Sequence, residues 1–310
     1  MSLDLVFCGT PEFAVPTLEK LVAGGFRVQL VVSQPDRPKG RGLEFGASPV
    51  KLSALRLSLP ITQPERIKAN DAFREQIGAL KPDAIIVVGY GRLIPQWMLD
   101  LPPLGNINLH ASLLPKYRGA APIQWAIAQG ETVTGVSTMR LDAGLDTGDI
   151  LLQREVSIGS EDTAESLAPR LASIGAALMI ETLQGVEAGS IRPRPQDNSR
   201  ATLAPILKKE DGLVDFSRSA PEIFNRVRGF QPWPGAYTQF RGKNLHIVKA
   251  KPAGDSVPPA ELSIKTDRLL VGCGDNTSLE LLELQVEGKK CSSARDFIHG
   301  YRPQSGEKLG

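Results

Sequence analysis

Short, nearly unbroken apolar runs constrain this chain more than any other feature. Residues 3–8, 28–32 and 83–88 are apolar apart from Asp4, Gln29 and Asp83, and turn formers bound them: Gly9-Thr10-Pro11, Gly24-Gly25, Lys81-Pro82 and Gly89-Tyr90-Gly91. A helical pattern over residues 12–22 joins the first two runs. Strands that are apolar nearly throughout, rather than at alternate positions, are covered on both faces. Alternating with amphipathic helices, they predict an α/β domain built on a parallel sheet. Further helices are expected over residues 120–129 and 163–185, the second opening behind the acidic Ser160-Glu161-Asp162, which suits a helix N-terminus.

The texture changes in the last third. Residues 189–207 are proline-rich and aperiodic, which reads as a linker. After a helical piece at 221–228, short alternating runs follow at 245–248, 261–264, 269–272 and 279–284, separated by glycine and proline. That pattern predicts a small β-barrel. The expected division is therefore a first domain over 1–188, a linker over 189–207 and a second domain over 208–310. A chain of 310 residues, 41% hydrophobic, has the material for two cores.

A net charge of +2 gives no global nucleic-acid signal, although residues 208–310 carry a mild positive excess that permits a polyanionic partner. Cys8, Cys273 and Cys291 are widely spaced and lack any CxxC pattern. They argue against a disulfide framework or a zinc site and for a reducing compartment. No apolar run approaches membrane-spanning length, and the N-terminus has no basic leader. A cytoplasmic protein with no obligate protein partner is the expectation.

Chemistry is concentrated in the middle of the chain. Asn108 and His110 end an apolar run over residues 105–109, and positions i and i+2 of a strand project to one face. Ser112-Leu113-Leu114-Pro115 follows, then the glycine-bounded acidic loop holding Asp142, Asp146 and Asp149. An amide donor, a titrating ring and a carboxylate are what acyl transfer to an amine needs, without a covalent nucleophile. Each also has a plainer reading. A histidine alone can be a satisfied core residue, and acidic loops are often solvated turns. A calcium site fits poorly, because the spacing misses the helix–loop–helix pattern. The setting separates these readings, since ligands of open parallel sheets bind beyond the carboxyl ends of strands. Asp146, flanked by Leu145 and Thr147-Gly148, is the acid best placed to reach inward. Lys116 and Arg118 add two cations beside this pocket, or simply a charged loop leading into a helix. The first βα turn, Gly9-Thr10-Pro11-Glu12-Phe13, lacks the G-x-G-x-x-G spacing, and Pro11 removes an amide donor. A nicotinamide oxidoreductase is disfavoured on that ground. Residues 35–42, with Arg37, Lys39 and Arg41, interrupt the βαβ pattern as a basic loop expected to lack regular structure.

Taken together, these motifs resemble the folate-dependent formyltransferases. Asn-x-His at 108–110, Ser-Leu-Leu-Pro at 112–115 and Leu-Asp-x-Gly-x-Asp-Thr-Gly-Asp at 141–149 carry the resemblance, as does the run from Tyr117 to Gln124. In the second half it rests on residues 208–212, 230–237 and 288–290, so it spans the full length. It implies a Rossmann-like formyltransferase domain followed by an OB-type barrel, 10-formyl-tetrahydrofolate as donor, and no metal. As acceptor it implies the amino group of methionine on initiator methionyl-tRNA. By that likeness Asn108, His110 and Asp146 are catalytic, and Ser112, Leu113, Leu114 and Pro115 contact the folate. Arg37, Lys39 and Arg41 would engage the tRNA, with the second domain touching its backbone. Leu43-Glu44-Phe45 stands where relatives often carry lysines, which weakens that grip; Gln231 and Cys291-Ser292 also depart from the pattern. Related activities on an amino sugar or on glycinamide ribonucleotide differ in the 34–42 insert, the Trp233 region and the second domain. A non-catalytic RNA-binding module would leave residues 108–146 unexplained.

Overall fold

The computed structural model describes residues 3–39 and 44–310. Two compact units emerge: residues 1–122, 133–157 and 168–205 form one, and residues 123–132, 158–167 and 206–310 the other.

The first unit is built on strands β1 (Asp4–Gly9), β2 (Arg27–Val32), β5 (Ile61–Thr62), β6 (Ala84–Val88), β7 (Asn106–His110), β8 (Val133–Arg140) and β9 (Ile150–Ser157), in the order β5-β2-β1-β6-β7-β8-β9. Helices α1 (Val15–Ala23), α2 (Pro49–Arg56), α3 (Asp71–Leu80) and α4 (Gln96–Leu99) connect the early strands. From β5 to β7 all pairings are parallel, as the buried aliphatic runs require. The helix expected from residue 12 divides into a 3-10 turn, Glu12–Ala14, and α1. Pro16 has no N–H to give to the preceding turn, so the α-helical ladder starts at Val15.

Two features differ from expectation. The sheet is not wholly parallel, because β8 runs antiparallel to β7, and β9 antiparallel to β8. Strand β8 is buried along most of its length, yet Thr134, Gly135, Ser137 and Thr138 break any apolar run. Two of its hydroxyls are paired internally: Ser137 Oγ donates to the Ser112 carbonyl at 2.6 Å, and Thr138 Oγ1 meets Thr182 Oγ1 at 2.8 Å. The second difference lies in the basic loop. Arg37–Lys39 (β3) and Glu44–Gly46 (β4) form a short antiparallel pair where no regular structure was expected. A two-stranded ribbon tolerates Pro38, since each of its strands has a free edge to which a missing N–H can be turned.

In the second unit, α7 (Ala220–Gly229) precedes an antiparallel sheet of β10 (Ala236–Phe240), β11 (Lys243–Ala253), β12 (Leu262–Lys265), β13 (Arg268–Gly272) and β14 (Ser278–Val286). Its order is β10-β11-β14-β13-β12, with β15 (Ser292–Ser293) on β14. The chain's last residues run between the two outer strands: Leu262 N–H donates to the Glu307 carbonyl, Leu309 N–H to Ala260, and Gly310 N–H to Gln239. Helix α8 (Ala294–Tyr301) starts at Ser293, whose Oγ accepts from Asp296 N–H at 3.1 Å. Its Phe297 packs on Phe240, ring centroids 5.1 Å apart, inside a core that includes Leu269, Leu279 and Leu281. Among the described residues no helix is long and apolar enough to cross a membrane.

Candidate active site

All features of the site belong to the first unit, at the carboxyl end of β7. Alternation along this buried strand divides its side chains. Leu109 packs under Gly175 of helix α6 (Ala164–Glu187), where an added Cβ would lie 2.7 Å from a Leu109 methyl. Asn108 and His110 project to the opposite face, as does Asn106. Asn106 is structural: its Nδ2 donates to the Met98 and Leu99 carbonyls at 2.9 and 3.1 Å. Asn108 differs. Its side chain is 7% exposed, and its carboxamide makes no hydrogen bond among the described residues. Its amide atoms are not among those wholly shut off from solvent, so at the strand end they are free to donate to and accept from a ligand.

His110 is oriented from both sides. Its Nε2 lies 2.8 Å from the Tyr117 carbonyl, which can only accept, so Nε2 carries a proton. Nδ1 then faces the Asp146 carboxylate, with Oδ2 at 3.7 Å. A neutral ring would turn a lone pair toward that anion, whereas the charged ring turns an N–H toward it. At 3.7 Å the contact is longer than a direct hydrogen bond, so Nδ1 is not committed to Asp146. Asp146 Oδ2 accepts instead from the Gly119 N–H at 2.8 Å. Asp146 itself takes a left-handed backbone, φ 53°, at the tip of its loop. Asp142 serves as scaffold there, accepting from Gly144 N–H at 2.9 Å and from Thr147 Oγ1 at 2.8 Å.

The loop after β7 is pinned along its length. Ser112 Oγ donates to the Lys116 carbonyl at 2.6 Å, and Leu114 N–H donates to Ser137 Oγ at 3.1 Å. Gln153 Nε2 donates to the Leu114 carbonyl at 3.0 Å and to Ser137 Oγ at 2.9 Å. Ser112 and Leu114 are thus committed inward, while Leu113 and Pro115 remain half-exposed. Residues 202–204 cross this loop: Tyr117 N–H donates to Thr202 Oγ1, Arg118 N–H to the Thr202 carbonyl, and Ala204 N–H to the Arg118 carbonyl. Gly119 sits at φ 120°, and a Cβ on it would fall 2.6 Å from the Ala204 carbonyl oxygen. Only glycine fits that approach.

The structure therefore brings Asn108, His110 and Asp146 together, with Ser112 to Pro115 alongside. Arg37 is exposed on β3, Lys39 lies in the same strand, and Arg41 lies outside the described residues. The one anion of that basic segment, Asp36, is engaged by Lys51 Nζ and by Gln63 Nε2 at 2.8 Å. Gln196 escaped the sequence reading. It lies in the proline-rich stretch, where a single amide among turn formers gives no pattern, yet it bonds to Arg118 and to the Asp146 loop.

An amide without a protein partner, an oriented imidazole and a carboxylate, beyond a strand of an α/β sheet, form an arrangement able to polarise a carbonyl. Comparison with known proteins agrees. A family model described as formyl transferase matches residues 4–183, and one described as formyl transferase, C-terminal domain, matches residues 206–302. The chain belongs to the formyl transferase family. It is 67% identical over 306 residues to a methionyl-tRNA formyltransferase of Koribacter versatilis, covering 99% of this chain and 98% of that one. It is 59% identical to that of Acidobacterium capsulatum, covering 99% and 100%. Among solved structures, a sugar 3N-formyl transferase, WlaRD, shares the fold with a TM-score of 0.67 at 18% identity, covering 94% of this chain and 100% of that one. Glycinamide ribonucleotide transformylase 1 of Symbiobacterium toebii matches with a TM-score of 0.52 at 23% identity, covering 63% and 95%.

Proposed function

We propose that this chain transfers the formyl group of 10-formyl-tetrahydrofolate to the amino group of methionine on initiator methionyl-tRNA. The observation that carries this reading is the Asn108 carboxamide, without a protein hydrogen-bond partner among the described residues, two residues from a histidine whose second nitrogen faces Asp146 at 3.7 Å. The names of relatives at 59–67% identity support the same acceptor.

In this mechanism the amine attacks the formyl carbon, a new C–N bond forms, and charge develops on the formyl oxygen. Asn108 Nδ2–H and His110 Nδ1–H donate to that oxygen, where preorganised donors lower a barrier most. The Tyr117 carbonyl holds Nε2, so the ring cannot swing away from this task. Asp146 stabilises the charged ring and takes the proton that the amine releases, directly or through a water. The bond from the formyl carbon to the donor nitrogen then breaks, and that nitrogen is protonated as tetrahydrofolate leaves. Residues 112–115 form the wall for the folate, with Leu113 and Pro115 as its open apolar surface.

In the same reading, residues 1–188 form the catalytic Rossmann-like domain, 189–207 the connection and 208–310 an OB-type barrel. The hydrogen bonds of residues 307–310 between the outer strands support a barrel. Exposed Lys249, Lys289 and Lys290 suit a phosphate backbone, and Arg37, Lys39 and Arg41 would meet the acceptor end. A cytoplasmic site of action follows from this substrate. The test is incubation of the purified chain with formyl donor and charged initiator tRNA, followed by mass analysis. One added formyl group on the methionyl-tRNA is expected. Formylation of a free amino sugar in its place, or no product, would overturn the assignment.

A further inference from the structure

Gln196 sits where two loops of the site meet, and its amide can lie only one way round. Arg118 donates to Gln196 Oε1 from Nε at 3.0 Å and from Nη2 at 2.7 Å. At the other end, Gln196 Nε2 donates to the main-chain carbonyls of Asp146 at 2.8 Å and Gly148 at 2.7 Å. A flipped amide would set an oxygen against two carbonyl oxygens and an NH2 against a guanidinium, losing all four bonds. The guanidinium is itself buried, 7% exposed, and also donates to Asn198 Oδ1 at 2.8 Å. It is always charged, and these amide oxygens solvate it.

The consequence falls on Asp146. Its carboxylate is held by the Gly119 N–H, next in the chain to Arg118, and its carbonyl by Gln196. One residue therefore ties the loop that presents the carboxylate to the loop that receives it. The left-handed backbone of Asp146 is a conformation that side-chain-bearing residues keep when the surroundings over-determine it. Among the described residues, no other hydrogen bond holds the carbonyls of Asp146 and Gly148. Without the two amide donors, the carboxylate moves relative to His110.

We propose that Gln196 is a positioning residue for the transfer reaction, fixing Asp146 against His110 through the carbonyls of the Asp146 loop. This rests on the role given to Asp146 above. It assigns a function to an element that composition marks only as a connection.

Gln196→Glu is the discriminating variant. A carboxylate there still accepts from Arg118, and so preserves the buried cation, but it turns an acceptor toward the two carbonyls. We expect the variant to fold, with kcat reduced about 10- to 100-fold, because a misplacement of about 1 Å can cost on the order of 10²-fold. KM for the formyl donor should stay near the wild-type value, and the pH dependence of kcat should change shape. A purely structural role would lower the melting temperature and leave kcat per folded molecule and its pH profile as in wild type, overturning the proposal. Gln196→Asn, which keeps the amide on a shorter stem, provides a second variant and should also lose kcat. In an Asp146→Asn background, followed by single-turnover transfer, adding Gln196→Glu should cost about twofold or less, since sites acting through one another are not additive. Multiplying losses would overturn the proposal while leaving Asp146 in its role. Full turnover by Asp146→Asn alone would remove that role and the proposal with it.

Discussion

Replacing Asn108 with alanine should separate stability from activity. The carboxamide makes no hydrogen bond among the described residues, so its removal leaves no protein group unpaired. Deleting a polar group under those conditions changes stability by about 1 kcal/mol or less, whereas stranding a buried partner costs about 1–3 kcal/mol. Asn106, on the same face of β7, is the internal contrast. Its loss strands the carbonyls of Met98 and Leu99, to which it donates at 2.9 and 3.1 Å. Asn106→Ala should therefore lower the melting temperature and leave kcat per folded molecule close to wild type. Asn108→Ala should melt near wild type and lose about 3–4 kcal/mol of barrier lowering, the measure of one oxyanion donor, or about 10²–10³ in kcat. Thermal unfolding beside steady-state formylation, with donor binding measured separately, gives both numbers. Turnover by Asn108→Ala within a few-fold of wild type, or parallel loss of stability and activity, would refute the reasoning.

Gly119→Ala forces a side chain into a φ of 120° with its Cβ 2.6 Å from the Ala204 carbonyl oxygen. It should cost about 1–3 kcal/mol of stability and, by moving the N–H that holds Asp146, lower kcat; chemical denaturation and turnover check the two effects. In the second unit, hydrogen bonds from the Arg268 guanidinium, 3.0 and 2.8 Å away, hold the Glu280 carboxyl below its ordinary value against the opposing effect of burial, with Lys251 adding to the pull. A depressed carboxylate contributes stability above its unfolded value of 4.5 and loses it as pH falls through the lower folded value. The melting-temperature deficit of Glu280→Gln should thus be present at neutral pH and shrink in acid. Binding of tRNA should weaken as salt rises, and Arg37→Ala should reduce the salt slope by about one, as expected for one phosphate contact; a slope unchanged by the substitution would remove Arg37 from the interface.

The parallel core was legible because β1, β2 and β6 are nearly continuous apolar runs, Asp4, Arg27 and Gln29 apart, a pattern that a half-exposed strand does not produce. Strand β8 was not, since Thr134, Ser137 and Thr138 are buried polar residues that break its apolar run, and the partners of Ser137 and Thr138 lie 25 and 44 residues away. The pair formed by β3 and β4 was hidden by Pro38, whose local preference says loop while a free edge permits a strand. Within the site, Asn108 and His110 were readable from strand period alone, and Asp146 from its glycine-bounded loop. What the chain could not announce was the Tyr117 carbonyl on His110, which depends on a backbone group, or Gln196, whose partners lie 78 and 50 residues away. Main-chain acceptors leave no residue-type signature, so this layer of the site becomes visible only in three dimensions.

The central claim is that His110, anchored through Nε2 with Nδ1 opposite Asp146, polarises the formyl oxygen. It is tested most directly by single-turnover transfer with His110→Ala at saturating donor and acceptor, with donor affinity measured on the same variant. Transfer slowed by about 10²-fold or more at nearly unchanged donor affinity is the expected result. Transfer at the wild-type rate would contradict it.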